Sequence, residues 1–84
     1  MRYSVEIRKS AEREMDRLPE GLHKRISERI LALEADPRPL GSHKLRGGEG
    51  YRLRVGDYRL LYTVDDRGGR VVVYSVAHRR EAYR

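Results

Sequence analysis

The stretch "YRLRVGDYRLLYTV", residues 51–64, decides how this chain folds. Tyr51, Leu53 and Val55 alternate with Arg52 and Arg54. After Gly56-Asp57 the alternation resumes, with Tyr58, Leu60, Tyr62 and Val64 against Arg59, Leu61 and Thr63. A two-residue period of apolar and polar side chains is the pattern of a half-buried strand, and a Gly-Asp pair between two such runs marks a tight turn. The stretch therefore predicts a β-hairpin. Its apolar row faces a core, and Arg52, Arg54 and Arg59 fall on the positions that alternate away from it.

Working outward, "RYSVEIR" (2–8) alternates Tyr3, Val5 and Ile7 with Arg2, Ser4, Glu6 and Arg8 and predicts another half-buried strand. Ser10 is placed to cap a helix, with Glu12 in its first turn and Ala11, Met15 and Leu18 as its apolar stripe. Pro19 and Gly21 interrupt. A second helix is predicted from about Glu20 to Ala35, with Leu22, Ile26, Ile30 and Leu33 on one face, ended by the two prolines of "ADPRPLG". "RPLGSHKLRGGEG" (38–50) reads as a glycine-rich loop. Beyond residue 64, "DDRGG" is a second hairpin turn and "RVVVYSVA" (70–77) the last strand. The predicted order is β-α-α-β-β-β, an α+β fold in which a helical hairpin packs on one face of a small, mostly antiparallel sheet. With no internal repeat and no composition break, residues 1–84 make a single domain.

Composition narrows the function classes. The chain contains no cysteine, which excludes disulfides and Cys-based zinc sites. No run approaches transmembrane length and the N-terminus lacks the apolar core of an export signal, so a soluble, cytoplasmic protein with no membrane partner is expected. The formal charge of +6 is unevenly spread: residues 1–35 hold eight Lys/Arg against seven Asp/Glu, and residues 36–84 hold eleven against six. A basic second part points to an anionic partner, most simply nucleic acid.

The chain closes on "VAHRREAYR" (76–84), where a strand runs into an imidazole, two guanidiniums and a phenol. Arg52, Arg54, Arg59, Arg79 and Arg80 are the candidate phosphate binders, because guanidinium pairs with phosphate through a rigid fork of donors and can stabilise the charge of a pentacoordinate transition state. His78 and Tyr83 are the proton-transfer candidates, with acid and base roles open between them. RNA carries its own nucleophile, the 2′-hydroxyl, so arginines with one or two acid–base groups suffice to cleave it. No carboxylate cluster suggests a two-metal nuclease, and neither metal nor cofactor is implied. Lys44 and Arg46 are further candidates for RNA contact. Tyr51, beside the glycine loop, is the tyrosine best placed to stack on a base, whereas His23 and His43 stand apart from any ligand pattern.

"KLRG", "YRLRVGDYRLLYTV" and "VVVYSVAHRREAYR", in this order after a helical hairpin, resemble the RelE branch of the RelE/ParE toxin superfamily over nearly the whole chain. The resemblance implies a RelE-like fold and the toxin of a type II toxin–antitoxin pair. It further implies a ribosome-dependent endoribonuclease that cuts mRNA in the ribosomal A site. An antitoxin silences such toxins, and the pair meets operator DNA only as a complex. By motif, Arg52 and Arg54 match the family's first two sheet cations, Arg59 the cation of the "YR" pair, Arg79 the arginine after the last strand and Tyr83 the C-terminal tyrosine. Where some members carry lysines at the first two positions this chain has arginines, and its spacing from Arg79 to Tyr83 is shorter than in some. Both departures leave the general base open. A ParE-like gyrase inhibitor, or a non-catalytic partner that only binds an antitoxin for repression, stands as the alternative.

Overall fold

The computed structural model describes residues 2–48 and 50–78. The chain runs β1 (Ser4–Ile7), α1 (Lys9–Asp16), α2 (Glu20–Ala32), β2 (Ser42–Lys44), β3 (Tyr51–Val55), β4 (Tyr58–Asp65) and β5 (Arg70–His78). The five strands form one sheet in the order β1-β5-β4-β3-β2. Only the β1–β5 pair is parallel, and the helices that separate those two strands in sequence make the crossover.

The core is the apolar set read from the alternation. Ile26 and Ile30 from α2 and Leu33 just after it, with Ala11 and Met15 from α1, pack on Leu53, Val55, Leu60, Tyr62, Val71, Val73 and Val76. Leu18 and Leu22, at the hairpin connection, are half-buried against that cluster.

Four local details differ from the sequence reading. Ser42–Lys44 is a strand, not loop. Three polar residues carry no period, and what makes them a strand is the free edge of β3, against which they pair antiparallel. Ser10 does not cap α1. The N-cap is Arg8 in an extended conformation, and the Ser10 hydroxyl, inside the helix, donates to the Tyr74 carbonyl at 3.2 Å. Helix α2 stops at Ala32, after which Leu33, Glu34 and Ala35 close tighter turns on Ile30, Leu31 and Ala32, because Pro37 ahead offers no N–H to continue.

The fourth difference has the largest consequence. The β4–β5 ladder carries a bulge. Leu61 faces Ser75 and Tyr62 faces Val73, so Tyr74 is the extra residue on β5. Inward positions on β5 therefore change parity, from Val71 and Val73 to Val76. His78 shares the parity of Val76, whereas unbroken alternation from Val71 would have put it on the opposite face. Where β1 ends, α1 covers the edge of β5. The Glu14 carboxylate there accepts the Val76 N–H at 3.0 Å and the Ser75 hydroxyl at 3.3 Å.

Candidate active site on the basic sheet face

The sheet register assembles the cations. On the face away from the helices His43 pairs with Arg52, and Arg52 with Leu61. In the next row Arg54 pairs with Arg59, and Arg59 with Ala77. Like charges directly opposite each other in a sheet are destabilising. Arg54 and Arg59 thus stand as a like-charged cross-strand pair.

These side chains enclose a cavity of about 300 Å³ lined by Gly41, His43, Arg52, Arg54 and Arg59. A second, of about 610 Å³, adjoins it and is lined by Lys44, Arg46 and Leu61 among others, with His43, Arg52 and Arg59 shared between the two. Among the described residues no carboxylate lines either cavity. The donor set suits an anion and not a cation. Arg59 is nearly buried, at 9 % exposure, Arg52 is half-buried, and Arg54 is exposed with its Nε donating to the Gly56 carbonyl at 3.3 Å. Arg54 also borders a groove lined by Arg25, Glu28 and Arg29 of α2, beside the β3–β4 turn.

Two structural devices hold the loops that carry Lys44, Arg46 and His43. Gly50, at φ +112°, lies so close to β4 that a Cβ would sit 2.5 Å from the Tyr62 carbonyl oxygen, and only glycine fits there. This close approach folds the 45–50 loop back, with the Leu45 N–H on the Gly50 carbonyl at 3.0 Å. The second device is a polar clamp. Arg38 donates from Nη1 and Nη2 to the two Asp66 carboxylate oxygens at 3.1 and 2.7 Å, and from Nε to the Tyr51 hydroxyl at 2.9 Å. The Tyr3 hydroxyl donates to the same Asp66 at 2.6 Å, and the buried Tyr62 hydroxyl to the Pro37 carbonyl at 2.8 Å. Hydrogen bonds from Arg38 and then Tyr3 hold the Asp66 carboxyl below its ordinary range. The bond to Asp66 pushes the Tyr3 phenol up, and burial does the same to Tyr62. The clamp ties the segment after α2 to the β4–β5 turn and so anchors the start of β2. It also engages Tyr51, whose ring stacks on Tyr62 at 5.8 Å and lies under the Arg38 guanidinium at 5.2 Å. Tyr51 is a packing residue here, not an open stacking platform.

The sequence-predicted residues divide accordingly. Arg52, Arg54, Arg59, Lys44 and Arg46 come together around the two cavities. His78 does not. The parity change at Tyr74 turns it into a separate cavity with Glu14, Arg17, Leu18, Tyr58 and Val76, where its ring meets that of Tyr58 edge-on at 5.2 Å. Arg79, Arg80 and Tyr83 lie outside the described residues. Sequence reasoning passed over His43. The available signal was its place in "SHKLRG", one residue before a cation already singled out, but only pairing with Arg52 shows that it shares the site.

With this geometry in view, the comparisons with known proteins become specific. The family described as the ParE toxin of the type II toxin–antitoxin system parDE matches residues 5–83. The chain belongs to the RelE/ParE toxin superfamily, on its RelE branch. It is 36 % identical to the toxin RelE of Mycobacterium tuberculosis over 98 % of this chain and 87 % of that one. Its fold superposes with a TM-score of 0.84 on a chain of the M. tuberculosis RelBE2 toxin–antitoxin complex, at 30 % identity, covering 94 % of this chain and 100 % of the other. A chain of the archaeal RelE–RelB complex from Pyrococcus horikoshii gives the same TM-score at 32 % identity, over 94 % of this chain and 97 % of that one. This RelE-kind toxin is thus a type II toxin–antitoxin component, and its basic concavity lies on the scaffold those relatives share.

Proposed function

We propose that this toxin is an endoribonuclease that cuts mRNA in the ribosomal A site without a metal ion, and that a cognate antitoxin restrains it. The observation that carries the reading is the concavity in which Arg52, Arg54 and Arg59 converge beside an imidazole with no carboxylate among the described lining residues. The guanidiniums grip the scissile phosphate and stabilise the additional charge that develops as the 2′-oxygen adds. In the reaction the 2′-hydroxyl loses its proton, O2′ bonds to phosphorus and the P–O5′ bond breaks. A 2′,3′-cyclic phosphate and a 5′-hydroxyl remain. Arg79 belongs to the proposal as the cation following β5, Tyr83 as a candidate proton-transfer group and Arg80 as an RNA contact. His78 leaves it, because its ring sits with Glu14 and Tyr58 in a separate cavity.

The antitoxin partner is supported by the RelB-bound relatives, and operator DNA is reached through that complex. A cytoplasmic site of action follows from a ribosomal target. Among the described residues no helix is long and apolar enough to cross a membrane. Primer extension on messages bound to programmed ribosomes tests the reading. Wild type is expected to cut within the A-site codon, with ribosomes only and equally in chelator, and Arg52→Ala or Arg59→Ala to lose the cuts. Intact message together with inhibited DNA supercoiling by gyrase would replace it with the ParE-like alternative.

A further inference from the structure

Removing a proton from a 2′-hydroxyl needs an acceptor, and the concavity holds one. Of the side chains around the smaller cavity, Arg52, Arg54 and Arg59 are guanidiniums, which carry donors and no lone pair. Among the described side chains lining it, an acceptor nitrogen can come only from the imidazole of His43. We propose that His43 is the general base of the cleavage reaction, an assignment that rests on the endoribonuclease reading above.

Its position supports the role in three ways. His43 lines both cavities, together with Arg52 and Arg59, and so stands at their junction, where a phosphate held by those arginines would lie. Its backbone is fixed by pairing with Arg52, and the strand start is tied down by the Ser42 hydroxyl on the Pro39 carbonyl at 2.8 Å. The ring is exposed and makes no hydrogen bond among the described residues. The other two histidines are engaged elsewhere. His23 lies 3.5 Å from the Ser27 hydroxyl, and His78 packs on Tyr58. In the step, the imidazole takes the 2′-hydroxyl proton as O2′ bonds to phosphorus. The P–O5′ bond then breaks, and the departing oxygen, held by guanidinium donors, is protonated from water. Among the described residues, the charged groups that line these cavities with His43 are Lys44 on its own strand, Arg46 in the loop after it, Arg52 and Arg54 on β3 and Arg59 on β4. Ammonium and guanidinium groups ordinarily keep their charge through the range in which an imidazole titrates, so one limb of the pH–rate profile reports the base.

Single-turnover cleavage on programmed ribosomes, measured from about pH 5 to 9 for wild type, His43→Gln and His43→Ala, tests the assignment. Binding is measured in parallel on a message with a 2′-deoxynucleotide at the cut position. Both variants should cleave about 100-fold or more slowly, lose the rise of rate with pH that wild type shows, and still bind the uncleavable message within about threefold. Variants that cut within about threefold of wild type with the same pH profile would overturn the assignment and leave the nuclease reading intact. Variants that lose binding in step with cleavage would make His43 a binding group and overturn it as well. A wild type that leaves message intact would overturn both.

Discussion

Arg38, beside the start of β3, and the three arginines of β3 and β4 sit in different surroundings. Arg38 meets a carboxylate through both ends of its fork and a phenol through its third nitrogen. Arg52, Arg54 and Arg59 gather around cavities in which the described lining residues include no acid, and two of them face each other directly across strands. The first arrangement satisfies a cation in place, so its work is to hold the chain. The second gathers three cations around open cavities, where an incoming anion can meet them. A guanidinium's surroundings, and not its presence, separate a structural role from a functional one.

The sharpest way to break this contrast is truncation inside the concavity. Arg52→Ala and Arg54→Ala should each slow cleavage by about 100- to 1,000-fold, the loss typical of one transition-state donor. For exposed Arg54 the unfolding midpoint should hardly move, and urea titrations alongside primer extension check both halves. The complementary move adds an acid to the described lining. Leu61→Glu, beside Arg52, should make the concavity resemble the clamp and lower cleavage by about tenfold or more, with stability kept, because a carboxylate then competes for the same guanidiniums. On the clamp side, Tyr62→Phe removes the donor to the Pro37 carbonyl at a fully buried site and should cost about 1–2 kcal/mol in urea unfolding, with cleavage altered far less than by the arginine changes.

The smallest effect is a pH dependence. The Asp66 carboxyl is depressed in the folded state, so its contribution to stability is fully present above the ordinary aspartate value of about 3.9 and is lost as pH falls through the lower folded value. Tyr3 runs the other way. Its raised phenol contributes below about pH 10, and the contribution is lost as pH rises through the folded value. The difference in urea midpoint between wild type and Asp66→Asn should therefore be greatest near neutrality and vanish toward about pH 2. A difference that persists in acid would mean that the clamp acts through packing, not charge.

Much of this molecule was legible in one dimension because period-two alternation and helical spacing report burial directly. The hairpin at 51–64, both helix faces and the gathering of Arg52, Arg54 and Arg59 on one side of the sheet follow from which positions must avoid water. Those same residues carried the resemblance to RelE-type toxins, which the comparisons bear out. Where the pattern carried no period, it misled. Ser42–Lys44 is a strand only because β3 offers an edge, and that pairing is what delivers His43 to the arginines. Arg38 and Asp66 are 28 positions apart, in segments that read as loop and turn, and nothing local announces that they meet.

His78 shows the boundary most clearly. Its place after a run of valines and its two arginine neighbours are properties of the sequence, and so is its attraction as a catalytic candidate. Which face it occupies depends on one extra residue in β5, and a bulge is decided by how two strands register against each other and against α1, not by the strand alone. The sequence by itself determined the helix stripes, the hairpin at 51–64 and the side of it on which Arg52, Arg54 and Arg59 fall, since a half-buried element hides its periodic apolar positions from water. The tertiary structure decided which imidazole joins the arginines, because register is a property of pairs of strands and a single slip reverses every side chain beyond it.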